Sequence, residues 1–146
     1  MNAPLPLSVT RDNAQSAANT VARLVGEAGP EAADLARRLA QETEGEVLFD
    51  AASRGRYATD ASIYQIQPVG VFVPRSAADV GIALDIARSQ GVPLLARGGG
   101  TSQCGQTTGA ALVIDTSKYL RSVLNFDNAA MTVEVEPGIV LDHLNA

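Results

Sequence analysis

Apolar residues recur every three or four positions in two stretches of the first third of the chain, which is the spacing of an amphipathic helix. The first stretch, 16–25, predicts a short helix. The second begins at Pro30, a residue suited to the first turn of a helix, and ends near Gly45. Its buried face is predicted to consist of Ala32, Leu35, Ala36 and Leu39. Residues 1–15 are polar and interrupted by two prolines, which predicts a flexible terminus before an N-terminal helical segment over 16–56.

A different pattern begins after residue 68, where two short apolar runs flank a helical stretch. The run VGVFV, residues 69–73, is nearly continuously apolar, as expected for a buried strand. The following helix is predicted to begin after Ser76, with Asp79 at capping-box spacing, and to end at Gly91. Its inner face is predicted to contain Val80, Leu84 and Ala87. A second strand at 92–96 completes a strand–helix–strand unit, for which parallel pairing with a right-handed crossover is the default.

The last third of the chain predicts three more strands. The run ALVID at 111–115 is typical of a buried strand. Apolar residues at 122–126 and 131–136 predict an antiparallel hairpin with Asn128 in its turn. Pro137 and Gly138 then end the last strand, before the start of another helix. The fold class is therefore α+β, with a small parallel β-α-β core, an antiparallel hairpin and N-terminal helices.

Residues 50–68 have no regular period and are interpreted as a surface connection. Tyr57 and Asp60 lie in this stretch, and the sequence alone assigns them no chemistry, since a solvated loop explains both.

Composition narrows the classes of function. The 146 residues are 46% hydrophobic, enough for one compact core. Aromatic residues make up 4% of the chain and the net charge is −5, which argues against a nucleic-acid partner. A single cysteine, Cys104, excludes an internal disulfide or a cysteine-ligated metal cluster within these residues. We find no secretory signal and no apolar run of membrane-spanning length, so we expect a soluble, cytoplasmic protein.

The stretch ARGGGTSQCGQTTG, residues 96–109, is the most informative one for function. Its glycines allow backbone N–H groups to converge on one point and hold phosphate oxygens without a side-chain charge. The loop follows a predicted parallel strand, and ligands bind at that end of open α/β sheets. A Walker loop needs a lysine that is absent here, and a Rossmann fingerprint opens into a helix rather than a strand. The residues alone leave open an anion-binding loop and a flexible connector.

The order of these motifs resembles a known family. The segment PVGVFVPRSAADVGIALDIARSQGVPLLARGGGTSQCGQTTGAALVIDTSKYL, followed by VEVEPG, is similar to the FAD-binding, PCMH-type domain of the vanillyl-alcohol oxidase superfamily. YATDASIYQIQPVGVFVPRS and RGGGTSQCGQ are most similar to the glycolate oxidase and D-lactate dehydrogenase branch, in particular to long members with a C-terminal iron–sulfur region. The resemblance implies that 57–146 forms the first part of such a domain, with a second subdomain and a substrate domain outside these residues.

The resemblance also implies a cofactor and a reaction. The expected cofactor is FAD, held non-covalently, because Thr101 stands where members with covalent flavin have a histidine. The expected substrate is a small 2-hydroxy acid of the D-lactate, glycolate or D-2-hydroxyglutarate type, oxidised by hydride transfer to flavin N5. No catalytic base and no metal ligand falls among the matched positions. The residues expected at FAD, most of them around its diphosphate, are Pro74, Arg97, Gly98, Gly99, Gly100, Thr101, Ser102, Gly105, Gln106, Pro137 and Gly138.

Some alternatives stay open at this point. Cys104 is interpreted as a small loop residue rather than a flavin thioether, and His143 as a surface residue rather than a general base. Arg97 either contacts phosphate or braces the loop against Asp115 or Glu136. Two other functions compete with the main hypothesis: a non-catalytic nucleotide- or anion-binding module, and an FAD domain like that of UDP-N-acetylenolpyruvoylglucosamine reductase.

Overall fold

The computed structural model describes residues 29–145, which form a four-stranded sheet, a separate two-stranded hairpin and four helices. The helices are α1 (Pro30–Glu42), α2 (Ala51–Tyr57), α3 (Ala77–Ser89) and α4 (Leu141–Leu144). The strands of the sheet are β1 (Glu46–Leu48), β2 (Gly70–Val73), β3 (Leu94–Arg97) and β4 (Leu112–Asp115), and those of the hairpin are β5 (Val123–Asp127) and β6 (Thr132–Val135). The helix predicted at 16–25 and the flexible terminus predicted at 1–15 lie outside the described residues.

The strand order in the sheet is β1-β2-β4-β3, with β1 antiparallel to β2 and the other pairs parallel. The predicted β-α-β unit is parallel, but its two strands do not pair with each other. Strand β4 lies between them, with Val113 opposite Val71 on one side and Leu95 on the other. Because β4 lies in the centre of the sheet, every one of its residues is buried. The continuous apolar run ALVID predicts this burial.

Helices α1 and α3 cover one face of the sheet and form the larger part of the core. In α1 the buried residues are Leu35, Ala36 and Leu39, as predicted. In α3 they are Asp79, Ala83, Ile86 and Ala87, whereas Leu84, predicted to face inward, is 46% exposed. The stripe that faces the sheet therefore passes through Ala83 and Ile86 and leaves Leu84 on the outer side.

The start of α3 is fixed by its own side chains. The Ser76 hydroxyl accepts a hydrogen bond from the Asp79 N–H at 3.1 Å, which confirms the predicted N-cap. The Asp79 carboxylate is buried and accepts from the N–H groups of Arg75 at 2.9 Å and Glu44 at 3.1 Å. Asp79 therefore ties the start of α3 to the connection between α1 and β1.

The prediction of a surface connection over 50–68 is wrong in its first part, where α2 forms. Asp50 caps this helix, because its carboxylate accepts from the Ser53 N–H at 2.9 Å. Periodicity did not reveal α2, since its sequence AASRGRY buries only Ser53 within the helix.

Two phenylalanines fill the core because two glycines leave room for them. Phe49 and Phe72 are fully buried. A Cβ atom at Gly70 would overlap the ring of Phe49, and one at Gly45 would overlap the ring of Phe72. These glycines are therefore explained by close packing inside the domain.

The hairpin of β5 and β6 is confirmed where the sequence predicts it. Its turn follows Asp127, whose carboxylate accepts from the N–H groups of Ala129 and Ala130, both at 2.9 Å. All residues of β5 are exposed, including Phe126 at 66%. Within residues 29–145, no helix is both long enough and apolar enough to cross a membrane.

Candidate functional site

The carboxyl ends of the three parallel strands lie along one edge of the sheet. Strand β2 ends there at Val73 and is followed by Pro74, which is fully buried. Strand β3 ends at Arg97 and opens into the glycine loop, residues 98–109. The loop then returns to the other end of the sheet, where Gly109 lies beside the side chain of Leu95 and β4 begins. The start of the glycine loop therefore occupies the edge at which open α/β sheets bind ligands.

Four of the five glycines of the loop fall into two groups, and the fifth, Gly109, lies against Leu95. Gly98 and Gly99 are open: a Cβ atom would meet no protein atom within 4 Å at Gly98, and only Thr101 Cγ2 at 3.7 Å at Gly99. Gly100 and Gly105 have positive φ angles of +67° and +77°, which residues with a side chain rarely adopt. The backbone conformation explains why Gly100 and Gly105 are glycines. It does not explain why Gly98 and Gly99 are glycines.

Arg97 is bound to backbone carbonyl groups. Its Nη1 donates to the carbonyl oxygens of Thr59 at 2.9 Å, Thr107 at 3.1 Å and Tyr57 at 3.5 Å. Its guanidinium carbon also lies 5.1 Å from the centre of the Tyr57 ring, a cation–π distance. The bracing alternative is thus observed.

The partners named for that bracing are wrong. Asp115 accepts instead from the Tyr57 hydroxyl at 2.6 Å, and Glu136 accepts from the Ser122 N–H at 2.7 Å. Asp115 is buried and lies opposite Arg97 in the pairing of β3 with β4, but its carboxylate binds the hydroxyl of Tyr57, whose ring faces the Arg97 guanidinium.

Sequence reasoning missed Tyr57 and Asp60 as site residues. Burial, together with the hydrogen bond to Asp115, raises the pKa of Tyr57 to about 12, so its hydroxyl stays a donor at neutral pH. The Asp60 carboxylate accepts from the Ser62 N–H at 2.9 Å and from the Thr107 hydroxyl at 3.0 Å. These hydrogen bonds, with that of Ser62 foremost, lower the pKa of Asp60 below its usual value. No local signal could reveal the contacts of Tyr57 with Asp115 and of Asp60 with Thr107, because these partners lie far along the chain.

The polar side chains of the loop bind mainly to one another. Ser102 is hydrogen-bonded to the Gln106 side chain, and its oxygen also lies 3.3 Å from the N–H groups of both Cys104 and Gln106. Thr101 is exposed at the sheet edge. Ser102 and Gln106, which were expected at FAD, therefore also shape the turn that carries Gly105.

Pro137 and Gly138 dock beside the same edge. The Gly138 N–H donates to the Leu120 carbonyl at 2.8 Å, and a Cβ atom at this position would overlap the Thr116 carbonyl oxygen. Thr116 directly follows β4, so the turn after the hairpin lies against the segment that leaves the centre of the sheet. The structure thus gathers residues near Pro74, Arg97 and Gly138 along one edge, while their contacts with a cofactor stay predictions.

Two further residues considered from the sequence lie on the surface. Cys104 is a free, exposed thiol within the glycine loop. His143 is exposed on α4 and lines a depression with Arg121 and Val123 at the base of the hairpin. His143 is therefore associated with the hairpin rather than with the glycine loop.

Comparison with known proteins identifies the family. The FAD binding domain family matches residues 68–146, more than half of the chain. D-2-hydroxyglutarate dehydrogenase of Pantoea ananatis is 36% identical over 110 residues, which are 73% of this chain and 11% of that protein. Glycolate oxidase subunit GlcD of Bacillus subtilis is 34% identical over 111 residues, 72% of this chain and 23% of that protein. The chain therefore spans less than a quarter of the length of these curated relatives.

Solved structures agree in fold. The 4-ethylphenol oxidase from Gulosibacter chungangensis superposes with a TM-score of 0.66 at 23% identity, covering 80% of this chain and 24% of the oxidase. This likeness confirms the mixed α+β, PCMH-type fold with its parallel sheet. The family match shows that the chain belongs to the FAD binding domain family.

Proposed function

We propose that the glycine loop binds the pyrophosphate of FAD through its main chain, and that the whole protein is a flavin-dependent enzyme that oxidises a small 2-hydroxy acid. Membership of the FAD binding domain family supports the cofactor. The names of the relatives from Pantoea ananatis and Bacillus subtilis support the substrate class. When bound, FAD supplies the hydride-accepting chemistry, and the residues of this chain bind and orient it.

The observation that carries the proposal is the open space at Gly98 and Gly99. Neither residue has a positive φ angle, and neither is crowded by another part of the described chain. At the sheet edge where ligands bind, such a glycine leaves room for the close approach of a ligand to the backbone, whereas the equally open Gly81 lies inside α3. The pyrophosphate of FAD is such a ligand, and backbone N–H groups are suitable donors for it.

The electrostatics of the loop favour main-chain binding. Residues 98–109 contain no charged side chain. The adjacent cation, Arg97, uses its Nη1 group on carbonyl oxygens. An anion at Gly98 and Gly99 is therefore stabilised chiefly by amide dipoles, with Thr101 as an additional hydroxyl donor.

The proposal is tested by replacing the open glycines with alanine. We expect Gly99→Ala and Gly98→Ala to fold like the wild type, because a methyl group meets no crowding at either position. Each should weaken FAD binding about 10- to 100-fold, since the methyl group displaces the phosphate from one charge-assisted hydrogen bond worth ~1.5–3 kcal/mol. FAD affinity is measured by titration calorimetry or by quenching of flavin fluorescence.

Gly81→Ala in α3 is the matched control, because this position is equally open but lies within the helix between β2 and β3. We expect its FAD affinity to stay within about twofold of the wild type, a difference below ~0.5 kcal/mol. If Gly99→Ala, Gly98→Ala and Gly81→Ala all fold and bind FAD with equal affinity, the loop does not bind the pyrophosphate. The alternative interpretation of the loop as a connector would then hold.

We further propose that FAD is bound non-covalently. Support comes from Thr101 at the position where a histidyl bond would need an imidazole. Acid precipitation of the loaded protein should release all flavin into the supernatant. The Cys104→Ser variant serves as the control: flavin in the wild-type pellet but not in the variant pellet would identify a thioether at Cys104.

The reaction and its setting complete the proposal. D-2-hydroxyglutarate, glycolate or D-lactate should bleach the flavin absorbance of the whole protein under anaerobic conditions, and failure of all three would exclude this substrate class.

An iron–sulfur region elsewhere in the whole protein, supported by the similarity to the long family members, would be visible as bound iron. A cytoplasmic location is proposed from the single free cysteine and is tested by cell fractionation.

A further inference from the structure

We infer that Arg97 is a positioning residue, which holds the glycine loop in its binding conformation by joining both ends of the loop to residues 57–66. We call residues 57–66 the strap. The inference rests on the proposed FAD site and adds a specific role: Arg97 contributes to FAD affinity through the shape of the loop rather than as a phosphate ligand.

A single guanidinium joins three parts of the chain. Arg97 is the residue directly before the loop, Thr107 lies near the end of the loop, and Tyr57 and Thr59 belong to the strap. Carbonyl oxygens of the last three surround Arg97 Nη1 at 2.9 to 3.5 Å. Because a guanidinium is rigid and planar, it fixes these carbonyl groups relative to one another.

The same guanidinium also sets the conformation of Gly100. A Cβ atom at Gly100 would lie 2.9 Å from Arg97 Cζ and closer still to Nη2. The loop therefore folds back over the side chain that anchors it, and the positive φ of Gly100 allows this turn. Gly98 and Gly99, the two open glycines, are held between the Cα of Arg97 and this contact.

Two more contacts join the strap to the loop independently of Arg97. The Thr107 hydroxyl donates to Asp60 at 3.0 Å, and the Tyr64 ring packs where a side chain at Gly105 would lie. The strap is closed at its base, since the Ile66 N–H donates to the Ala58 carbonyl at 2.9 Å. This closure fixes the strap whose carbonyl groups, those of Tyr57 and Thr59, bind Arg97.

The charge of Arg97 is compensated in a manner that fits this role. Within residues 29–145 the ion pairs are formed by Arg37, Arg38, Arg75 and Lys118, and none involves Arg97. Carbonyl oxygens and the face of the Tyr57 ring stabilise the guanidinium instead.

The first test needs no FAD and measures amide hydrogen exchange in Arg97→Met. The N–H groups of Gln106 and Thr108 are suitable reporters, because both form hydrogen bonds inside the loop. We expect their exchange to become about tenfold faster or more, the effect of losing hydrogen bonds of a charged group worth ~1.5–3 kcal/mol. Arg75→Met is the matched control: Arg75 lies at the same sheet edge, 4.4 Å from the Tyr119 ring, but contacts no loop residue. It should leave these rates unchanged.

The second test measures FAD binding in the same variants. We expect Arg97→Met to weaken FAD about tenfold, with the same salt dependence as the wild type because no phosphate ion pair is lost. Arg97→Lys should recover part of the affinity, since an ammonium can donate to the same carbonyl oxygens. Arg75→Met should bind FAD like the wild type.

The outcomes separate the two proposals. Faster exchange in Arg97→Met without any FAD binding by the wild type would support the anchoring and refute the FAD site. Unchanged exchange in Arg97→Met would overturn the inference, whatever happens to FAD. Reduced affinity with a weakened salt dependence and unchanged exchange would identify Arg97 as a direct phosphate ligand. Should Arg97→Met fail to fold, the milder Arg97→Lys variant decides by the same exchange measurement.

Discussion

The central strands of the sheet and the glycine loop at their edge differ in what their residues contribute. All residues of β2 and β4 are buried, whereas the loop buries only Thr108. The strands contact apolar side chains on both faces, and the loop contacts the strap through carbonyl groups, one carboxylate and one arginine. The residues that stabilise the sheet therefore differ from those of the proposed binding loop, although the two sets are adjacent in sequence.

This difference shows how a loop rich in glycine can hold a defined shape. A flexible segment costs entropy to order, and burial of apolar side chains cannot offset that cost where there are none. Here the ordering comes from polar contacts with Arg97 and Asp60 and from packing of the Tyr64 ring at Gly105, and all three residues lie outside the loop. The loop is thus shaped by its neighbours, and its open glycines, Gly98 and Gly99, leave room for the proposed ligand.

The largest expected effect tests the sheet. Phe72→Ala should reduce the free energy of unfolding by about 3–5 kcal/mol, because Phe72 is fully buried and its removal leaves a cavity. Phe126→Ala, at a phenylalanine 66% exposed on the hairpin, is the control and should cost about 0.5 kcal/mol or less. Urea unfolding followed by circular dichroism measures both, and equal losses would contradict the assignment of stability to the sheet.

A smaller effect tests the braced part of the loop. Gly100→Ala should lose about 1–2 kcal/mol of stability for the left-handed backbone alone, and its methyl group must also displace the Arg97 guanidinium. Gly98→Ala, at an open position, should change stability by about 0.5 kcal/mol or less. If the two variants unfold at the same urea concentration, the division of the loop into open and braced glycines is wrong.

The smallest effect concerns a polar cluster at the sheet edge outside the loop. Hydrogen bonds from Lys118 and then Tyr119 lower the pKa of Glu46 below its usual value. A carboxyl group with a lowered pKa stabilises the fold above its usual pKa, and this contribution is lost as the pH falls through the lowered value. Glu46→Gln should therefore be less stable than the wild type at pH 7 by about 0.2–1 kcal/mol.

The control for this cluster is the same comparison of the free energy of unfolding between wild type and Glu46→Gln, made at acidic pH. The difference between wild type and Glu46→Gln should shrink as the pH falls below the ordinary carboxyl pKa of 4.5, and it should vanish once Glu46 is protonated in the folded wild type. A difference that stays constant from pH 7 into acid would show that the Glu46 charge contributes nothing.

Much of the fold could be predicted from local patterns. The runs VGVFV and ALVID are apolar without interruption because β2 and β4 are covered on both faces, and that is visible in sequence. The cap at Ser76 and the turn before Met131 depend on neighbours a few residues away, and both are confirmed. Helix α2 was missed because its stability comes from Asp50 and from contact with β2 rather than from an apolar face.

The position of β4 between β2 and β3 could not be predicted in this way, since it depends on contacts between distant parts of the chain. The partners of Arg97 were wrong for a related reason. An arginine suggests a carboxylate partner, and Asp115 and Glu136 were the obvious ones, but the acceptors are backbone carbonyl groups that every residue carries. Because every residue type has a backbone carbonyl group, the sequence does not indicate which of them accepts a hydrogen bond.

The strand order has a consequence for how the sheet assembles. Strands β2 and β3 are synthesised before β4, yet neither has a parallel partner until β4 is inserted between them. Among the strands within residues 29–145, only the antiparallel pair of β1 and β2 can form earlier during synthesis. Until residue 115 is available, the nascent chain exposes the edges of β2 and β3, where another chain could pair. Completion of the central strand is thus the step that protects the emerging protein from association with its neighbours.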